Sequence, residues 1–125
     1  MPALISDAER EVMEVLWHRA PRSADEILAE VGPRQHWQEG TVKSLLNRLL
    51  RKRAVKAVRD GRRYLYSPLL LRERYVLEES KGLLDRLFGG RVAPLVAHFS
   101  EQRKLSKKDI SEIKRLIAEL EDEHD

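Results

Sequence analysis

The stretch from Thr41 to Ser67 constrains this chain most, because its hydrophobic period changes in mid-course. From Thr41 to Arg53, Val42, Leu45, Leu46 and Leu49 recur at the i, i+3, i+4, i+7 spacing of an amphipathic helix. At about 100° per residue, those four and Leu50 fill one arc, while Lys43, Ser44, Asn47, Arg48 and Arg51 fall on the opposite one. After Arg53 the pattern becomes extended. Val55 to Arg59 and Tyr64 to Ser67 are short runs rich in β-branched and aromatic residues, joined around Asp60-Gly61, a favoured pair for a tight hairpin turn, and Pro68 closes the hairpin. A two-stranded ribbon is therefore expected, with Arg59, Arg62 and Arg63 at its tip.

Two shorter helices precede this stretch. Ser6-Asp7-Ala8-Glu9 reads as a capping box, in which a hydroxyl and a carboxylate satisfy backbone N–H groups at a helix start. Val12, Val15 and Leu16 follow at helical spacing, which predicts a helix from Asp7 to Arg19 ended by Pro21. Ser23-Ala24-Asp25-Glu26 repeats the capping signature, and Ile27, Leu28 and Val31 form the apolar side of a second helix that Gly32-Pro33 is expected to terminate.

Charge is concentrated in the same central region. Residues 1–68 carry 13 Lys and Arg against 9 Asp and Glu, a balance of +4, whereas residues 69–125 carry 11 against 12, a balance of −1. From Glu39 to Arg63 there are nine basic residues and two acidic ones, Glu39 and Asp60, and a local +7 is the footprint that a polyanion-binding surface leaves. From Thr41 through Arg59 the polar face holds neither Asp nor Glu, in a chain that elsewhere mixes signs freely, as in Glu9-Arg10-Glu11.

Three short helices, then a hairpin, with basic residues on the third helix and the hairpin tip, is the order of a winged helix-turn-helix. In that fold the third helix enters the major groove and the hairpin reaches the neighbouring backbone. Asn47 suits bidentate contact with adenine, Lys43 and Arg48 suit guanine, and Ser44 can bond several base edges. Arg51, Arg62 and Arg63 suit phosphates, which set register without reading sequence. Thr41, at the expected helix start, would cap it and donate to a phosphate.

The remainder is expected to be helical. Val76, Leu83, Leu84 and Leu87 fall in one segment, Val92, Leu95, Val96 and Phe99 in the next, and Ile110, Ile113, Ile117 and Leu120 in the last. Gly89-Gly90 separates the first two, and Ser106 with Asp109 marks the start of the third. Short amphipathic helices of this kind bury their apolar faces poorly alone. A second copy of the chain is the simplest partner, with Leu84, Leu87, Leu95, Phe99, Ile113, Ile117 and Leu120 as dimerisation residues; the alternative is that the helices fold back on the winged domain. A two-fold dimer would set two recognition helices about 34–36 Å apart, or a multiple of that. The expected organisation is a mostly α chain with a small β-hairpin wing: a DNA-binding domain over residues 1–70 and a helical dimerisation domain over 71–125.

Other function classes fare worse. A chain of 125 residues hardly holds two independent cores. Nothing in it resembles a nucleophile, a base and an orienting group set together, which argues against an enzyme. It has no cysteine, which removes disulfides and thiolate metal sites, and His18, His36, His98 and His124 lie in no ligand spacing, so neither a metal nor another cofactor is expected. No apolar run approaches the roughly 20 residues that cross a bilayer. The opening Met1-Pro2-Ala3-Leu4-Ile5 has no basic leader, which points to the cytoplasm. A winged fold used to bind protein instead of DNA is the remaining alternative.

Three stretches together resemble the penicillinase-repressor family, which includes the β-lactamase, methicillin-resistance and copper-responsive repressors. They are Leu4-Ile5-Ser6-Asp7-Ala8-Glu9 with Val12-Met13-Glu14-Val15-Leu16-Trp17, Gly40-Thr41-Val42-Lys43-Ser44-Leu45-Leu46-Asn47-Arg48-Leu49, and Tyr64-Leu65-Tyr66-Ser67-Pro68, and the likeness runs down to Leu120. The resemblance implies a homodimer on a palindromic operator near its own gene, holding transcription off until a signal arrives. In the β-lactam branch a membrane receptor senses the drug and the repressor is cut in its dimerisation region between Asn and Phe. The matching positions here are His98 and Phe99, and His98 departs from that pattern. In the copper branch a cysteine-rich motif binds the metal, which a chain without cysteine does not reproduce.

Overall fold

The computed structural model describes residues 5–124, and His124 by its backbone alone. The opening residues Met1–Leu4, used above for the leader reading and in part for the family motif, lie outside the described residues, as does Asp125. The chain divides into two compact units, Met1–Val76 and Leu77–Asp125.

The first unit is built in the order α1 (Asp7–His18), β1 (Arg22–Ser23), α2 (Ala24–Gln35), α3 (Glu39–Arg51), β2 (Val55–Asp60) and β3 (Arg63–Pro68). Both capping boxes form as expected. The Glu9 N–H donates to Ser6 Oγ at 3.1 Å and the Ser6 N–H to Glu9 Oε1 at 2.9 Å. Ser23 and Glu26 repeat the pattern at 3.2 and 3.0 Å. Each box satisfies two backbone donors that a helix start leaves orphaned.

Four local expectations are corrected. First, α2 does not stop at Gly32-Pro33 but carries Pro33 inside it. Proline's fixed φ is helical, and at this position the helix forgoes a single backbone bond in its closing turn. The helix ends instead at His36, whose φ of 58° lets the Trp37 N–H turn back to the Gly32 carbonyl at 3.0 Å. Second, α3 starts at Glu39, two residues before Thr41, and its last helical residue is Arg51. Third, the hairpin turn is Gly61-Arg62, not Asp60-Gly61, because Asp60 still pairs with Arg63. Gly61 takes φ +64°, the positive value that the first position of a type II′ turn requires.

The fourth correction concerns the sheet. It has three strands in the order β1-β3-β2, with Arg22 opposite Tyr66 and Ser23 opposite Leu65. The wing is thereby tied to the residues that cap α2, so its base is fixed against the helices while its tip projects.

The buried core belongs to this unit. Val12, Met13 and Leu16 of α1, Ile27 and Val31 of α2, Val42, Leu45, Leu46 and Leu49 of α3, and Val55 of β2 pack together. At about 25 cal/mol per Å² of apolar surface removed from water, this cluster is what orients α3. The start of α4 (Arg72–Phe88) is held here as well. Trp17 Nε1 donates to the Leu70 carbonyl at 2.8 Å, and the Trp17 and Tyr75 rings lie 5.4 Å apart.

In the second unit α4 continues to Phe88, followed by α5 (Val92–Glu101) and α6 (Lys107–His124). Gly89 and Gly90 adopt φ of 59° and 75° and break α4 from α5. At the head of α6 the Asp109 N–H donates to Ser106 Oγ at 3.0 Å and the Ser106 N–H to Asp109 Oδ2 at 3.2 Å. No residue of α4 or α5 is buried. None of the described helices is long and apolar enough to cross a membrane.

Candidate nucleic-acid interface

The core fixes the rotation of α3. With Val42, Leu45, Leu46 and Leu49 turned inward, Thr41, Lys43, Ser44, Asn47, Arg48 and Arg51 are all exposed along its outer side. The C-terminal end is held by a Schellman closure: Arg53 takes φ 60°, its N–H donates to the Leu50 carbonyl at 3.1 Å, and the Ala54 N–H donates to Leu49 at 2.9 Å. That closure sets the direction in which β2 leaves. Arg48 and Arg51 sit in the last turn, where the helix dipole favours cations.

Thr41 does not cap this helix. The N-cap is Gln38, which makes no side-chain capping bond, and the Thr41 N–H donates to the Gln38 carbonyl at 3.1 Å from inside the first turn. Its exposed hydroxyl is left to face outward.

The wing brings two of the expected phosphate residues up to the helix. Lys43, Arg62, Arg63, Glu39, Tyr64 and Tyr66 line one groove together with Ser23, Ala24 and Asp25 at the start of α2. Arg63 is paired with Asp60 at 3.3 Å, and Arg59 Nε donates to the Gly61 carbonyl at 3.1 Å, so the tip guanidinium groups are arranged by the turn itself. Burial pushes the Tyr66 phenol pKa up, against the opposing pull of the Lys43 ammonium. Sequence reasoning named Lys43, Arg62 and Arg63 as DNA-contacting residues, without bringing them to one groove, and missed the two tyrosines. Their alternation along β3, two residues apart on one face of the strand, was the available signal.

The first turn of α3 carries an acid, Glu39, just before the acid-free stretch that begins at Thr41. Because the helix begins at Glu39, its carboxylate lies one turn before Lys43, and Lys43 Nζ reaches Glu39 Oε1 at 2.7 Å. The hydrogen bond from Lys43 holds the Glu39 carboxyl below its ordinary pKa, and the same bond raises that of Lys43. Glu followed by Lys at i, i+4 is the favourable order for such a pair, and the spacing is present in the sequence once Glu39 is part of the helix.

The C-terminal residues singled out from sequence are distributed as follows. Leu84, Leu95 and Ile113 are half-buried, while Leu87, Phe99, Ile117 and Leu120 are exposed, Leu87 by 65%. His98 and Phe99 lie inside α5, where the His98 ring stands 6.0 Å from Phe88 and 5.4 Å from Phe99. Among the described residues, no three His, Cys, Asp or Glu side chains are grouped closely enough to hold a metal ion.

A helix-turn-helix with an exposed basic third helix, followed by a hairpin whose tip shares a groove with Lys43, defines the winged-helix class of DNA-binding proteins. The comparisons with known proteins agree with that class. The penicillinase repressor family model matches residues 5–119, and the chain belongs to that family. It is similar to the penicillinase repressor of Bacillus licheniformis, 31% identical over 115 residues that cover 92% of this chain and 90% of that protein. The methicillin resistance regulatory protein MecI of Staphylococcus aureus is 28% identical over 113 residues, covering 90% of this chain and 92% of MecI. Among solved structures, the DNA-binding domain of the repressor BlaI superposes with a TM-score of 0.55 at 32% identity, covering 60% of this chain and 92% of that one. The Bacillus licheniformis BlaI monomeric form in complex with the blaP half-operator gives 0.53 at the same identity and coverage.

Proposed function

We propose that this repressor binds a palindromic DNA operator as a homodimer. In this reading α3 lies in the major groove, with Asn47 reading adenine, Lys43 and Arg48 reading guanine and Ser44 bonding to base edges. Thr41, Arg51, Arg62 and Arg63 meet phosphates. The observation that carries the reading is the shared groove: Lys43 of α3 and Arg62 and Arg63 of the wing tip line one surface, while the apolar side of α3 is committed to the core.

Support for the two-fold comes from the second unit. Leu87, Val92, Phe99, Ile117 and Leu120 are exposed, and α4 and α5 hold no buried residue. Helices of this length are stable chiefly through a packed apolar face, and a second copy supplies one. That the related BlaI has been solved with a half-operator accords with a two-part site. The protein acts in the cytoplasm as a regulator rather than an enzyme. Repression is lifted by a signal, and a membrane receptor or a protease acting on the dimerisation unit is the route the family offers.

The test is a mobility-shift titration against DNA recovered with the protein from its native host, repeated over a range of salt. Wild-type affinity should fall with a log–log slope of roughly −0.9 per phosphate contacted. Asn47→Ala should cost about 1–3 kcal/mol on the recovered site, and Arg62→Ala should weaken all duplexes alike and shrink the slope by about one. A slope near zero would instead favour a protein-binding role for the winged fold.

A further inference from the structure

Glu39 stands where a DNA-binding surface is least tolerant of an acid. It opens α3, its side chain is 59% exposed, and it borders the groove that also holds Lys43, Arg62 and Arg63. A carboxylate there repels every phosphate backbone, whatever the sequence, so on electrostatic grounds alone it lowers affinity for all DNA. Its hydrogen bond to Lys43 Nζ, at 2.7 Å, also withdraws one of the basic groups from the surface.

The same pair has a use on one kind of sequence. Side chains at i and i+4 on a helix are about 5–6 Å apart, a span of one to two base pairs stacked about 3.4 Å apart. In the major groove a carboxylate is matched by the amino donor of cytosine N4, and an ammonium by the O6 and N7 acceptors of guanine. We infer that Glu39 and Lys43 form a coupled specificity element: over a cytosine and a neighbouring guanine the pair opens and each side chain bonds its base, and over any other sequence the pair stays closed and Glu39 repels the DNA. This rests on the reading that the outer side of α3 faces the major groove.

Closed, the pair holds Lys43 back from non-specific contacts. Open, it exchanges a single exposed ion pair for two base contacts. The element therefore widens the gap between right and wrong DNA instead of raising affinity in general, which is how a repulsive group contributes to specificity. Glu39 is the determinant and Lys43 its partner.

The experiment selects duplexes from a randomised library with the full-length wild type, Glu39→Gln and Arg62→Ala. Affinity is then measured by fluorescence anisotropy for the wild-type consensus duplex and for a scrambled duplex of equal composition. Glu39→Gln keeps the side chain's size and removes its charge. It should lose the cytosine preference at one position of each half-site, leave the other positions unchanged, and bind the scrambled duplex several-fold more tightly. The ratio between consensus and scrambled affinities should fall about tenfold, the scale of one specific base contact. An unchanged base preference and ratio in Glu39→Gln, with Arg62→Ala still weakening both duplexes, would overturn the role of Glu39 alone. If wild type selects no consensus and Arg62→Ala changes nothing, the assignment of the DNA-facing side fails, and this inference with it.

Discussion

The ion pair between Glu9 and Lys52 offers the sharpest test of how α3 is held. The Glu9 side chain is 2% exposed, its Oε1 accepts from the Ser6 N–H and from Lys52 Nζ at 2.7 Å, and its Oε2 has no hydrogen-bond partner among the described residues. Lys52 is the residue on which α3 ends, so the bond ties that end to the start of α1 across 43 positions of sequence. Lys52→Ala leaves a buried carboxylate with the Ser6 contacts alone. Breaking a fully buried pair costs about 3–5 kcal/mol, and a hydrogen bond to a charged group about 1.5–3. Because Lys52 is 30% exposed, water replaces part of it, and a loss of about 2 kcal/mol is expected.

The effect carries a pH signature. Burial by itself would raise the Glu9 pKa, but the bonds from Lys52 and Ser6 outweigh it and leave the pKa lowered. A carboxylate whose folded pKa lies below its unfolded one contributes stability above the ordinary carboxylate range, and that contribution is lost as pH falls through the folded value. Without Lys52, only the Ser6 contacts oppose the effect of burial, and the depression of the Glu9 pKa shrinks. The gap between wild type and Lys52→Ala should therefore be full at neutral pH and narrow as pH falls through the carboxylate range, where Glu9 takes up its proton in both proteins. Trp17 and Trp37 both lie in the first unit, so tryptophan fluorescence during urea unfolding reports on it, with protein concentration held fixed because oligomers shift the midpoint. At neutral pH the midpoint should drop by about 1 M. An unmoved midpoint, or a gap that does not change with pH, would refute the assignment.

Two further outcomes are expected. Replacing both Ile113 and Ile117 by Asp should yield monomers in sedimentation and a large loss of operator affinity, since each half-site then binds alone; a full-affinity dimer would place the interface elsewhere. At Arg53, where φ is 60°, substitution by Gly relieves a backbone cost of about 1–2 kcal/mol at the price of roughly 0.5–1 in unfolded-state entropy. The urea midpoint should thus rise slightly in Arg53→Gly and fall in Arg53→Val, and the reverse order would show that the Schellman closure does not set this helix end.

What was legible in the chain was local. Both capping boxes join residues three apart, the leucine stripe of α3 repeats within two turns, and the hairpin follows from adjacent β-branched runs and a glycine. Each signal lies within a few residues, so short-range sterics and hydrogen bonding suffice to express it. The resulting list of exposed basic and polar residues on α3 also followed, because burying one face of a helix determines the other. The misplaced start of α3 had a larger consequence than its two residues suggest, since it left Glu39 off the helix and so hid its i, i+4 ion pair with Lys43. Nothing in the side-chain chemistry of Gln38 announces a cap, and it makes no side-chain capping bond in the structure.

By itself the amino-acid order determined the succession of helices and strands, the polarity of each face and the concentration of positive charge, all of which arise from neighbours along the chain. Only the tertiary structure decided that Arg22 and Ser23 become a third strand against Tyr66 and Leu65, that Lys52 reaches Glu9, and that the wing shares a groove with Lys43. Those contacts join residues tens of positions apart. They form because the common core brings their backbones together, and no local preference encodes them.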